Sequence, residues 1–137
     1  MAELLEVAAA GDKIDGDQLQ DSIDALRAMA NALDDAADSP ELDVKAMQEL
    51  GRQATKLRDG AGALVSTQID LLAGEAKITA EHINSAVKAA DDVIKKIADI
   101  KAKLEKVGAL IEFLAAVATG NGKVILQAAV SLKGKLA

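Results

Sequence analysis

From Ile83 to Ala118 the apolar residues recur at alternating intervals of three and four, over five heptads without a slip. An average interval of 3.5 residues keeps apolar side chains on one face of an α-helix and is typical of helices that pack as coiled coils. The same spacing continues over 19–37 and over 47–71. We call these positions the predicted seam: Leu19, Ile23, Leu26, Ala30, Leu33, Ala37, Met47, Leu50, Ala54, Leu57, Ala61, Leu64, Gln68, Leu71, Ile83, Ala86, Ala90, Val93, Ile97, Ile100, Leu104, Val107, Ile111, Leu114 and Ala118.

Composition favours the same fold class. Half of the 137 residues are hydrophobic, yet Phe113 is the single aromatic residue and Pro40 the single proline. Alanine, leucine, lysine and glutamate form helices readily, whereas the residues that favour strands are scarce. A chain of this length fits one domain. We therefore predict an all-α protein with a single domain, an elongated antiparallel helical bundle with coiled-coil-like heptad seams and a C-terminal apolar helical hairpin.

Capping signals set the expected helix ends. Asp17 with Gln20 and Ser39-Pro40-Glu41 have the composition of helix starts, and so does Thr79. Glycines Gly11 and Gly74 are typical of helix ends. The predicted helices cover about residues 2–10, 17–38, 40–73 with a kink at 60–62, 79–119 and 123–135.

Charge is distributed unevenly along the chain, whose net charge is −6. Residues 1–50 contain thirteen acidic side chains against three basic ones, whereas residues 51–137 contain nine acidic against thirteen basic ones. Opposite charges of this kind either attract within one bundle or face different partners.

Several functional classes lack the residues they need. The chain contains no cysteine and a single histidine, His82, so thiol chemistry, zinc pairs and histidine-based catalysis have no obvious constellation. The acidic cluster Asp12, Asp15, Asp17 and Asp21 does not fit the frame of a calcium-binding EF-hand. No phosphate-binding glycine motif is present. We therefore expect no enzyme activity, no cofactor and no metal site.

The most basic stretch contains Lys95, Lys96, Lys101, Lys103 and Lys106. Acidic residues interrupt it, and no aromatic side chain in it could stack on bases. It is better interpreted as the solvated face of a long helix. Three acid-first i,i+4 pairs are predicted on that face: Asp91 with Lys95, Asp92 with Lys96 and Asp99 with Lys103. We expect no nucleic-acid partner.

The C-terminal hairpin, residues 107–132, is where two functions compete. It consists of two apolar arms around Gly120, with lysines on both sides. The arms contain Leu110, Ile111, Phe113, Leu114, Val117, Val124, Ile125, Leu126, Val130 and Leu132. These residues could be core, an interface between protein chains, or a segment that enters a membrane. The arrangement resembles, in architecture only, the apolar tongue of bacterial α-helical pore-forming toxins over about thirty residues, and this chain is short for that family.

The favoured function is a non-enzymatic helical interaction or accessory module that acts by helix–helix packing. Its partner would be a protein, either a second copy or another helical chain. The alternative is a membrane-active protein that inserts residues 107–132. No apolar run reaches the length of a transmembrane helix, and the acidic start Met1-Ala2-Glu3 differs from a secretory signal. We expect a cytoplasmic protein, or one exported without a classical signal peptide.

Overall fold

The computed structural model describes residues 17–38, 43–66 and 78–136 in full, and the backbone alone at 8–9, 13–14, 69–70, 72–73 and 76–77. Within these residues five α-helices carry the fold: α1 (Gln20–Ala37), α2 (Val44–Ser66), α3 (Ala80–Lys95), α4 (Ile100–Ala118) and α5 (Gly122–Leu136). A 3-10 turn, Asp17–Leu19, leads into α1. The helices pack against one another, so the predicted all-α class is confirmed.

The packing places α2 and α3 beside α1, and α4 beside α2, α3 and α5. One continuous core forms between them. Its largest fully buried side chains are Leu19, Ile23, Leu26, Leu33, Leu50, Leu57, Leu64, Ile78, Ile83 and Phe113. A core built from leucine and isoleucine needs close interdigitation, because it lacks the large area that aromatic rings bury.

Five two-residue strand segments accompany the helices: β1 (Ala8–Ala9), β2 (Lys13–Ile14), β3 (Ile69–Asp70), β4 (Leu72–Ala73) and β5 (Ala76–Lys77). All their pairings are antiparallel. One small sheet has the order β1-β5-β4, with Ala8 opposite Lys77 and Leu72 opposite Lys77. In the other sheet Ile14 lies opposite Ile69.

These segments correct two predicted helix bounds. The helix predicted over 2–10 is extended at Ala8–Ala9, because its backbone pairs with β5 and this pairing overrides alanine's helical preference. The helix predicted over 40–73 ends at Ser66. Ile69, in β3, is β-branched, and such residues lose side-chain freedom in helices and favour extended backbone. The predicted end at Gly11 and the predicted seam residues Gln68 and Leu71 lie outside the residues described in full, and so does Gly74.

The helix predicted over 79–119 is in fact two helices, and this is the largest correction. Helix α3 ends at Lys95, and α4 begins at Ile100. Asp99 caps α4, since its Oδ2 accepts a hydrogen bond of 2.9 Å from the backbone N–H of Ala102. The carboxylate thus satisfies a helix-start donor and does not form the predicted i,i+4 ion pair. Gly108, in contrast, lies within an unbroken α4.

The interruption changes which residues face the core. On α1 and α2 the described seam positions are buried, except the half-buried Ala37 and Met47. On α3 the predicted seam is buried as far as Ala90, and beyond it only two of its described members, Val107 and Leu114, are buried. Its members Val93, Ile97, Ile100, Leu104 and Ile111 are half-buried, and Ala118 is exposed. The core instead takes Val87, Ile94, Leu110, Phe113 and Val117. Because α4 packs on α2, α3 and α5 together, it buries a wider arc than a two-helix seam requires.

The remaining helix bounds shift slightly. Helix α2 starts at Val44, where Asp43 accepts a hydrogen bond of 2.7 Å from the backbone N–H of Ala46. The predicted start at Ser39-Pro40-Glu41 lies outside the described residues. No break occurs at the kink predicted for 60–62, because α2 is continuous to Ser66. The last helix, predicted over 123–135, covers Gly122–Leu136.

Candidate interaction surfaces

The C-terminal hairpin is held by a tightly bonded turn between α4 and α5. Gly120 has a φ of +70°, a backbone conformation that side chains with a Cβ rarely adopt. Before it, the Thr119 hydroxyl donates to the carbonyl of Ala116 at 2.6 Å. After it, Asn121 Oδ1 accepts from the backbone N–H groups of Lys123 and Val124, at 3.0 and 3.3 Å. The turn therefore fixes the direction in which α5 returns along α4.

The far end of the hairpin is fastened as well. Lys135 Nζ lies 3.0 Å from Glu112 Oε2, and Lys106 Nζ donates to the main-chain carbonyl of Lys135. Both contacts involve exposed groups, and exposed ion pairs stabilise a fold by no more than about 1 kcal/mol. The apolar contacts between the arms carry most of the stability.

The structure distributes the ten predicted hairpin residues over three environments. Ile111 and Leu126 are half-buried, and Val124 and Val130 are exposed. The other six are buried in the core: Leu110, Phe113, Leu114, Val117, Ile125 and Leu132. These six residues make the hairpin part of the protein's own core. The exposed residues of the ten, Val124 and Val130, are both on α5.

The outer face of α5 carries no charge over most of its length. Val124, Gln127, Val130, Ser131 and Gly134 are exposed there. Val130 is 72% exposed, the highest value among the large hydrophobic residues described. The three charged residues of this helix, Lys123, Lys133 and Lys135, stand at its two ends. We call the five exposed residues between them the α5 outer face.

An apolar groove of about 260 Å³ runs between α2 and α4. Its walls include Ala63 of α2 and Ile111 and Ala115 of α4. The two helices pack tightly at Gly60, where an added Cβ would lie 2.9 Å from Leu114 Cδ1. The absence of a side chain at Gly60 therefore allows this contact.

The same interface contains a buried polar side chain, Gln53, which is 8% exposed. Its Nε2 donates to the carbonyl of Leu104 at 3.0 Å, while its Oε1 has no hydrogen-bond partner among the described residues. An unsatisfied buried acceptor costs about 1–3 kcal/mol. An apolar residue of similar size at position 53 would therefore make the contact between α2 and α4 stronger.

A larger and more polar groove, of about 750 Å³, separates α1 from α3. Ala25 and Val87 contribute apolar surface to it, and Asp21 and Glu81 place exposed carboxylates along it. Among the described residues, Lys88 is the one basic residue that lines it. We call this feature the α1–α3 groove; its remaining lining residues are Gln18, Asn84, Ser85 and Asp91.

Asn84 holds the two sides of the α1–α3 groove together. Its Oδ1 accepts from the backbone N–H of Ser22 at 3.1 Å and from the Ser22 hydroxyl. Its Nδ2 donates to the carbonyl of Gln18 at 3.1 Å. Leu19, the residue preceding α1, supplies no side-chain cap, so an asparagine from α3 takes that role and the predicted Asp17 cap is wrong. Sequence reasoning missed this contact, because a polar residue within an apolar helix pattern gives no sign of its distant partner.

Asp91, at the edge of the same groove, is 8% exposed and paired with Lys95, with 2.7 Å between its Oδ2 and Nζ. This hydrogen bond and the attraction between the two charges raise the pKa of the Lys95 ammonium. The sequence predicted this i,i+4 pair. The pairs predicted for Asp92 with Lys96 and for Asp99 with Lys103 are not formed within the described part of the chain.

His82 has a capping role at the start of α3. Thr79 Oγ1 accepts from the backbone N–H of His82 at 3.3 Å, and His82 Nδ1 accepts from the backbone N–H of Thr79 at 3.0 Å. This reciprocal pair is a capping box in which histidine replaces the usual glutamate or glutamine. The predicted cap at Thr79 is confirmed.

None of the described helices has both the length and the apolar content that crossing a bilayer requires. No protein-family model matches the chain, and neither a curated protein sequence nor a solved structure is significantly similar to it.

Proposed function

We propose that this protein is a non-enzymatic interaction module that binds another protein by helix–helix packing through the α5 outer face. The observation that carries the proposal is the uncharged surface of that face, on which Val130 is 72% exposed. Exposed helical faces of soluble proteins are usually charged or strongly polar, and an apolar or neutral helix face without cover is typical of an interface.

The shape of the hairpin supports the proposal. The Thr119–Asn121 turn and the contact between Lys135 and Glu112 fix both ends of α5 against α4. A surface whose backbone is already ordered loses little conformational entropy when it binds. Small side chains such as Ser131 and Gly134 allow a partner helix to approach closely.

The finer architecture belongs to the same proposal. We infer an elongated antiparallel bundle in which α4 and α5 run in opposite directions, as the short turn between them favours. The coiled-coil-like seam covers α1, α2 and the part of α3 up to Ala90, where the buried residues follow the alternating spacing. The outer surfaces of α4 and α5 then remain for a partner.

Crosslinking from single cysteines tests the proposal, because the chain contains no cysteine of its own. A photoactivatable crosslinker is attached to Val130→Cys, and to Val44→Cys as a control of matched chemistry. Val44, at the start of α2, is 68% exposed, close to the value for Val130. Each labelled protein is illuminated in extract of the cells that produce it.

The expected result is one dominant protein adduct from position 130 and little or none from position 44. Excess unlabelled protein should abolish the adduct, whereas excess Val130→Asp protein should not. Equal adducts from both positions, or none from position 130, would contradict the proposal.

Vesicles test the alternative in which residues 107–132 enter a membrane. Phosphatidylcholine vesicles with and without phosphatidylglycerol, loaded with a dye, are mixed with the unmodified protein at neutral pH. We expect no dye release, because six of the ten hairpin residues are committed to the core. Dye release that Val130→Asp abolishes while the helical circular dichroism spectrum is retained would favour membrane insertion instead.

A further inference from the structure

We infer that the partner of the α5 outer face is a second copy of this chain, and that α5 of one copy docks in the α1–α3 groove of the other. This inference rests on the proposed function and adds to it the identity of the partner and the surface that receives α5.

Charge complementarity is the first argument. All the charged residues of α5 are lysines: Lys123, Lys133 and Lys135. Helix α1 carries four aspartates against Arg27 alone. The two helices therefore have opposite charge, and opposite potentials on facing surfaces steer association and fix its register.

Among the described residues, the charged groups that would pair between the two copies form no ion pair within one copy. The described ion pairs are those of Arg52 with Glu49, Arg58 with Asp34, Lys95 with Asp91 and Lys135 with Glu112. Within the part of the chain that the structure describes, Asp21 and Glu81 of the groove and Lys123 and Lys133 of α5 take part in none of them.

The shape of the groove is the second argument. Its volume of about 750 Å³ lies between two helices, with Ala25 and Val87 giving it apolar surface and the Asp21 and Glu81 carboxylates standing along it. A helix with small neutral side chains along its middle and lysines at its ends offers both the apolar contact and the cations that such a lining can accept.

A second molecule is needed to bring these surfaces together. In one molecule α5 packs on α4 and touches α3, while α1 packs on α2 and α3. Asp21, Glu81, Ser85 and Lys88 are all exposed, so the molecule's own α5 does not cover the groove. Every copy carries both surfaces. Helix α5 of each copy can therefore dock in the α1–α3 groove of the other, which gives a dimer with twofold symmetry.

The test exchanges the charges of the two surfaces. The first variant carries Lys123→Glu and Lys133→Glu on α5, and the second carries Asp21→Lys and Glu81→Lys in the groove. Sedimentation equilibrium measures the mass of each, and of their equimolar mixture, from about 5 to 500 µM in about 50 mM salt, where exposed charges are weakly screened. Circular dichroism confirms that both variants keep their helices.

The wild-type mass is expected to rise with concentration from the chain mass of 14.1 kDa towards twice that value. Each variant alone should associate at least about tenfold more weakly, because like charges then face each other across the contact. Mixing the two variants should restore association, since each altered surface meets its complement on the other chain. Higher salt should weaken the wild-type complex.

A control variant with Lys45→Glu and Lys56→Glu on α2 changes the net charge by the same amount as the α5 variant, and it should associate like the wild type. A wild-type mass of 14.1 kDa throughout, a mixture that fails to recover, or an equal loss in the control would overturn the inference. The proposed function would survive any of these three outcomes if the crosslinker at position 130 specifically captured a different protein. Equal crosslinking at positions 130 and 44 would remove the proposed function itself.

Discussion

The α1–α2 pair and the α4–α5 hairpin are both built from two consecutive helices, but they differ in what covers their outer surfaces. Helix α1 presents exposed aspartates to solvent, and Arg58 of α2 bridges to α1 by donating to Asn31 at 2.9 Å and to Asp34 at 2.5 Å. Helix α5 presents its neutral outer face instead. The first pair also exposes two valines, Val44 and Val65, but these stand at the two ends of α2. On α5, in contrast, Val130 is exposed in the middle of the helix, on a face without charge.

The position of Val117 tests how α4 meets the core. Val117 is fully buried and the adjacent Ala118 is exposed. Val117→Asp places an uncompensated charge in the core and should lower the free energy of unfolding by about 4 kcal/mol or more, or prevent folding. Ala118→Asp should cost less than about 1 kcal/mol, close to the difference in helix propensity. Urea denaturation measures both, and the reverse order of effects would show that the register of α4 is different.

The turn of the hairpin gives the next largest effect. Gly120→Ala forces a Cβ into left-handed backbone and should cost about 1–2 kcal/mol. Gly134→Ala, in α5 with nothing within 4 Å of the added Cβ, should raise stability by up to about 1 kcal/mol through helix propensity. Thermal unfolding of the two variants should therefore shift in opposite directions. A shift in the same direction would mean that α5 does not return through this turn.

A third pair of variants tests the contact between α2 and α4, which joins the α1–α2 pair to the α4–α5 hairpin. Gly62→Ala adds a methyl group in open space and should stabilise α2 by about 0.5–1 kcal/mol. Gly60→Ala gains the same propensity but must displace Leu114, so its net gain should vanish or become a loss of about 1 kcal/mol. Equal stabilisation by both changes, measured in urea, would indicate that α2 and α4 do not approach closely at Gly60.

The smallest effects are expected from the exposed ion pairs. Arg58→Ala removes the bridge between α1 and α2, and Lys135→Ala removes the contact with Glu112 in the hairpin. Each should lower the free energy of unfolding by less than about 1 kcal/mol and by less still at high salt. A loss above about 2 kcal/mol from either variant would mean that electrostatic contacts, not apolar burial, hold that pair of helices together.

The sequence predicted α1 and α2 well, because each has a single apolar face and the alternating spacing identifies it. It failed on α3 and α4 for a local reason: Asp99 could serve as an i,i+4 partner of Lys103 or as a helix cap, and the spacing favoured the continuous helix. Once the chain breaks at 96–99, the phase of the apolar face changes.

The candidate surfaces were harder to predict than the helices. Helix α5 is apolar on most sides, so its sequence could not show that Ile125 is buried while Val130 is exposed. Gln53 and Asn84 were also missed, since their roles depend on Leu104 and Ser22, which are distant in sequence. Contacts of that kind arise from the tertiary packing of helices and have no local signature.

The cap that Asn84 provides also has a consequence for the order of folding. It joins residues 62 positions apart, so the first turn of α1 cannot be completed until α3 has arrived. Local helices form within about a microsecond, whereas contacts between distant residues require the closure of a long loop and come later. The start of α1 should thus remain frayed in early intermediates. Protection of the Ser22 amide from hydrogen exchange would then report the docking of α3, and its loss would mark the opening of the α1–α3 groove well before α2 unfolds.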